Sequence, residues 1–112
     1  MNEAAREEIK HKLGVLLTEL KAMLERATAD EMGAFGAYVI TTSPGCYYRD
    51  GAQGMRTLTW ASRYVTRLGA ALVARNIRDG FGSPGKVMEY RLALQLEIER
   101  VEETIATLTE VA

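Results

Sequence analysis

The chain has 112 residues, 47% of them apolar, and 14 basic against 15 acidic side chains for a formal charge of -1. That length suits one domain spanning 1–112 with a real core, and the even charge balance supplies no overall field for nucleic acid or a membrane surface. One cysteine and one histidine exclude an internal disulfide, a multi-cysteine metal centre and most catalytic triads, so no catalytic residue, metal ligand or cofactor is assigned.

The N-terminal ten residues carry Glu3, Glu7 and Glu8 and no apolar signal core, which leads to the expectation of a cytoplasmic chain that does not enter a membrane. From Asn2 to Asp30 the apolar residues Ile9, Leu13, Leu16, Leu17, Leu20, Met23, Leu24 and Ala27 fall at alternating spacings of four and three, the signature of a heptad-like helix. Gly14 weakens that helix by about 1 kcal/mol relative to alanine, and Gly33 supplies its stop.

The texture changes after Gly33. Tyr38 to Thr42 is β-branched and aromatic, Ser43-Pro44-Gly45 is turn chemistry, and Cys46 to Arg49 is short and aromatic, a hairpin pattern. Beyond a second turn region from Asp50 to Gly54, Met55 to Trp60 is expected to add a third strand, making a small antiparallel meander that needs a helix to pack on.

The set Tyr64, Val65, Leu68, Leu72, Val73 and Ile77 predicts a second helix over Trp60 to Arg78. A third is expected from Ser83 as cap and Pro84 as first residue, with the spine Val87, Leu94, Ile98, Val101, Ile105 and Leu108 and with Arg91 interrupting it. The fold class is therefore α+β and mostly helical, in the order α-β-β(β)-α-α: a long N-terminal helix, a meander of two or three strands, then two helices.

Charge is unevenly distributed along this order. Residues 1–32 carry a net -2, residues 33–91 a net +5 and residues 92–112 a net -4. On a helical wheel Arg63, Arg67 and Arg78 fall within about 60° of one another, with Trp60 at the same edge. Arg49 and Arg56 flank the second turn, and Tyr47-Tyr48 place one ring on each sheet face, one expected in the core and one exposed.

Three patterns in the sequence resemble chemical motifs. Gly80 to Lys86 matches the letters of a phosphate loop, but no strand precedes it and Val87 stands where a magnesium-binding hydroxyl belongs, so a plain helix connection or an incidental anion site is expected. Cys46 and His11 lie on different elements with no orienting third group. Adjacent acids such as Glu102-Glu103 diverge by about 100° on a helix and cannot share a proton.

The functional expectation is a non-enzymatic interaction module, an adaptor, assembly component or small inhibitor. It engages an acidic protein partner through Tyr47, Tyr48, Arg49, Arg56, Trp60, Arg63, Arg67 and Arg78. Helices of about 40 Å exceed what a small sheet needs. They must pair with each other, protrude or meet a second copy, and a homo-oligomer, with a dimer favoured, is expected through Leu13, Leu16, Leu20, Leu24, Leu94, Ile98, Val101, Ile105 and Leu108. The alternatives are a nucleic-acid-binding regulator using the same arginines, and a small anionic-ligand binder using the Gly80 to Lys86 loop.

Overall fold

The computed structural model describes residues 2–110. Helix α1 spans Glu3–Ala29, strand β1 Tyr38–Ser43, strand β2 Cys46–Tyr47, a 3-10 turn Leu58–Trp60, helix α2 Arg67–Ala74, strand β3 Lys86–Glu89 and helix α3 Tyr90–Glu110. The architecture is mostly helical α+β, with a long N-terminal helix and a small antiparallel sheet. None of its helices is long and apolar enough to cross a membrane, among the described residues.

Helix α1 starts where Asn2 Oδ1 accepts the Ala5 N–H at 2.8 Å and ends at Asp30, whose N–H reaches Arg26 O. The same Asp30 pins the following loop: its carboxylate oxygens accept the N–H groups of Ala34 at 2.9 Å and Phe35 at 3.1 Å. A side chain that takes up free backbone donors in this way fixes the direction of the chain as it leaves the helix.

The chain then enters β1, the central strand of the sheet, whose order is β2-β1-β3. The hairpin β1-β2 forms as expected, with Thr41 opposite Tyr47 and Ser43 opposite Cys46. The third strand is a correction. Met55 to Trp60 contributes one bridge, in which Tyr47 and Arg56 exchange N–H···O bonds of 2.8 and 2.7 Å, before the 3-10 turn begins. The other edge of β1 is filled by β3, with Tyr38 opposite Glu89 and Thr41 opposite Lys86. The sheet is therefore not a sequential meander, and the element order is α-β-β-α-β-α.

Both later helices are accordingly shorter than their spacings predict. The reason for α3 is that Val87 sits seven residues before Leu94, a spacing that continues a helical stripe, whereas an unpaired β1 edge leaves backbone donors and acceptors that need partners. The pairing decides: Ser83 and Pro84 do not start a helix, Val87 packs on one sheet face and Met88 on the other, and α3 begins at Tyr90. In α2 the Thr66 hydroxyl accepts the Gly69 N–H at 3.0 Å and sets the true start. The preceding residues stay extended, because Ser62 N–H bonds Tyr48 O and Tyr38 and Tyr64 exchange both backbone bonds.

The sheet has a core on each face, so β1 is buried along most of its length. On one face Val39, Tyr47 and Met88 meet Leu20, Leu94, Ile98 and Val101 of α1 and α3. On the other, Ile40 and Val87 meet Ala70 and Ala74 of α2, with Tyr38, Tyr48 and Tyr64 around them. Helices α1 and α3 run antiparallel: Ala27 and Arg26 share a cavity with Tyr90, Lys21 reaches Glu102 at 3.7 Å, and Leu16 lies beside Thr104.

Candidate interaction surface

The nine apolar residues assigned to self-association face this helix pair. Leu20, Leu94, Ile98 and Val101 are buried in the chain's own core, Leu13, Leu16, Leu24 and Ile105 pack against it half-buried, and Leu108 is half-buried near the end of α3. Of the three fates open to long striped helices, the first holds within one chain: they pair with each other. Apolar side chains left exposed are found around α2 (Val65, Leu68 and Leu72), on loops (Phe35 and Phe81) and on the outer faces of α1 and α3 (Val15, Leu92 and Leu96).

The predicted arginine stripe does not exist as a helical feature. Arg63 precedes α2 in extended chain and Arg67 is its first residue, whereas Arg78 lies beyond its end and donates to Ile77 O at 2.7 Å. Eight helical residues at 1.5 Å each put about 12 Å between the two ends of α2, so Arg78 does not belong with the others.

Three of the arginines nevertheless share one arrangement, a guanidinium over an aromatic ring. Arg49 lies 5.5 Å from the centroid of Trp60 and donates through Nη1 to Trp60 O at 3.1 Å. Arg63 lies 3.9 Å from Tyr90 and donates through Nε to Gly36 O at 2.9 Å. Arg67 lies 5.4 Å from Tyr38. Such contacts contribute about 0.5–1 kcal/mol each at exposed sites and hold the cation in place without neutralising it. Arg56 is exposed, held in the chain by its backbone bridge to Tyr47.

Among the described residues, none of these arginines forms an ion pair with a carboxylate. The ion pairs among the described residues are Lys10 with Glu7, Lys12 with Glu8, Lys21 with Glu102 and Arg100 with Glu97, all on α1 and α3. Between Gly51 and Arg78 the chain has five arginines and no acidic residue. Asp50, at the border, accepts from the Tyr48 hydroxyl at 3.2 Å. Trp60, 60% exposed, supplies the apolar part of the Arg49 pair.

The two tyrosines divide as alternation predicts only in part. Tyr47 is the core residue, 2% exposed, and burial together with the nearby Glu97 carboxylate pushes its hydroxyl up to about 12. It is corrected from partner contact to core. Tyr48 is half-buried on the opposite face among Ile40 and Ala70.

Within the Gly80 to Lys86 loop the N–H groups of Phe81, Gly82 and Ser83 are taken by Asp79. Asp79 Oδ1 accepts the N–H groups of Phe81 at 2.8 Å and Ser83 at 2.9 Å, and Asp79 O accepts that of Gly82 at 3.0 Å. These bonds, led by the one from Ser83, hold the Asp79 carboxyl below the usual carboxylate range. The backbone groups that would cradle a phosphate already hold a carboxylate, and Lys86 lies on β3 rather than at a helix start.

The residues that sequence reasoning missed are Arg26, Gly36, Tyr38 and Tyr90, which seat or accompany the arginines. Tyr90 was detectable: the run Tyr90, Leu94, Ile98, Val101, Ile105 fits the stripe of α3 better than one begun at Val87. Gly36 carried no such signal. Comparison with protein-family models, with curated proteins and with solved structures finds no significant match to this chain.

Proposed function

We propose that this chain is a non-enzymatic interaction module whose surface of Arg49, Trp60, Arg63 and Arg67, with Arg56 beside it, engages an acidic protein partner. The observation that carries the reading is the set of three guanidiniums seated on rings with no ion-paired carboxylate among the described residues. Arginine and tryptophan are the residues most enriched where binding energy concentrates, and cations already fixed in place lose little freedom on binding. Self-association is a separate part of the proposal and uses the exposed Val65, Leu68 and Leu72 face, since the leucine stripes are spent inside the chain.

The test compares wild type with the double variant Arg49→Glu, Arg67→Glu for binding to immobilised polyglutamate and to single-stranded DNA across a salt series, with light scattering on the same samples. Arg63 is left intact because it also ties down the Gly36 loop. The expected result is polyglutamate binding that falls at least about tenfold in the double variant, a loss typical of hot-spot charges. Equal binding by both proteins removes the surface. Tighter DNA binding with a steep salt slope transfers it to nucleic acid. A scattering mass of 12.4 kDa, that of one chain, removes self-association.

A further inference from the structure

A cavity of about 740 Å³ opens between the last turns of α1, the loop after it, the 3-10 turn and the start of α3, a volume within the ~300–1,000 Å³ typical of small-molecule sites. Its interior is apolar: Ala27, Leu58 and Tyr90 are buried, and Met23 and Ala61 pack against the same core. Phe35, 77% exposed, stands among its lining residues.

The polar groups of the lining converge on Tyr90. Arg63 stacks on its ring, and both Arg63 and Arg26 act electrostatically on its hydroxyl, opposing the upward push that burial gives its pKa. Tyr90 is 4% exposed, and its hydroxyl has no hydrogen-bond partner among the described residues. Arg26 and Arg63 have no carboxylate partner among them either. Asp30, the one carboxylate of the lining, has its oxygens committed to the Ala34 and Phe35 N–H groups. Two cations and one anion leave the cavity with a single net positive charge.

Arg63 is held for a ligand in a specific way. Gly36 has φ +101°, and a Cβ there would stand 2.5 Å from the Arg63 Cβ, so only glycine admits this approach. With Nε bonded to Gly36 O, the edge left for a ligand is the Nη1–Nη2 pair, which matches the two oxygens of a carboxylate. An extended peptide is a poor fit, because β1 is paired on both sides and offers no ladder here.

We propose that this cavity binds a small monocarboxylate with an apolar body, of the medium-chain fatty acid class. The carboxylate sits on Arg63 and Arg26 with the Tyr90 hydroxyl donating to it, and the hydrocarbon lies against Met23, Leu58 and Ala61. The site shares Arg63 with the acidic-partner surface and otherwise uses different residues, so Arg26→Gln and Arg49→Glu tell the two apart.

The test is calorimetric titration of the full chain with decanoate, 1-decanol and acetate below the micelle range, on wild type, Arg26→Gln, Arg63→Lys and Arg49→Glu, each first checked for a wild-type melting transition. Decanoate is expected to saturate one site, with 1-decanol and acetate each at least about tenfold weaker. Arg26→Gln and Arg63→Lys each weaken decanoate by a similar factor, while Arg49→Glu leaves it unchanged and lowers only polyglutamate binding. Should Arg63→Lys fail to fold, Arg26→Gln alone decides. Absence of saturable decanoate binding, equal binding of 1-decanol, or unchanged binding by Arg26→Gln overturns the site.

Discussion

Leu20, Leu94, Ile98 and Val101 take their places in α1 and α3 from helical period, whereas Arg49 and Arg63 lie outside any helix or strand and Arg67 only opens the short α2. The helices α1 and α3 carry the ion pairs found among the described residues, all with glutamates of the same two helices. The middle carries its cations on aromatic rings instead. The terminal helices thus pair cations of their own and still keep a net negative charge, and a nearly balanced total conceals a basic midsection.

The largest effect that can break this contrast is core truncation. Leu94 is fully buried, and Leu94→Ala is expected to lose about 3 kcal/mol in denaturant unfolding, the cost of a core cavity. Leu72→Ala, 51% exposed on α2, is expected to stay within about 0.5 kcal/mol. A Leu72→Ala loss as large as that of Leu94→Ala would mean that the outer face of α2 is covered by another copy, and would sharpen the comparison by moving the glue from the ends to the middle.

Next in size is Gly36. Alanine at φ +101° combines backbone strain with a 2.5 Å clash against Arg63, and Gly36→Ala is expected to lower stability by about 2–3 kcal/mol. Gly14, in α1 with open space around its would-be Cβ, makes the opposite case: Gly14→Ala is expected to raise stability by about 0.5–1 kcal/mol. Thermal melts of the two variants check both signs. A Gly36→Ala variant as stable as wild type would show that Arg63 is not seated by the loop.

These contrasts also mark what was legible in the sequence. The first helix, the hairpin and the stripe of α3 were readable because each repeats a local pattern, with period 3.6 or 2. The Val87 segment was not, since Val at one position satisfies a helix spine and a strand equally, and only the empty edge of β1 decides between them. The candidate surface was legible in its residue types and not in its geometry. Arginines 63, 67 and 78 have helical spacing, but backbone bonds from Ser62 and Tyr64 to Tyr48 and Tyr38 hold the first of them in extended chain. The cavity beside Arg63 depends on contacts across long sequence separations, Gly36 to Arg63 and Arg26 to Tyr90, for which one sequence holds no periodic sign.

The smallest effect separates the two sheet faces by pH. Tyr47, on the α1/α3 face, has its hydroxyl raised to about 12 by burial first and by the Glu97 carboxylate second, with Arg100 pulling the other way. A folded value above the ordinary 10 means that the neutral tyrosine is favoured by folding. Its contribution is complete below pH 10 and is lost as pH climbs from 10 through about 12. Tyr48 and Tyr64 on the α2 face and Tyr90 beside the cavity shift in the same direction, so wild type is expected to lose stability along a shared alkaline limb. Tyr47→Phe cannot ionise, and its melting temperature should fall less steeply over pH 10–12 than that of wild type, whereas Tyr48→Phe, with its hydroxyl facing Asp50 near solvent, should change the slope less. Equal slopes for wild type and Tyr47→Phe would mean that the hydroxyl beside Glu97 is hydrated in solution, and the core on that face would then be looser than the helix pair alone requires.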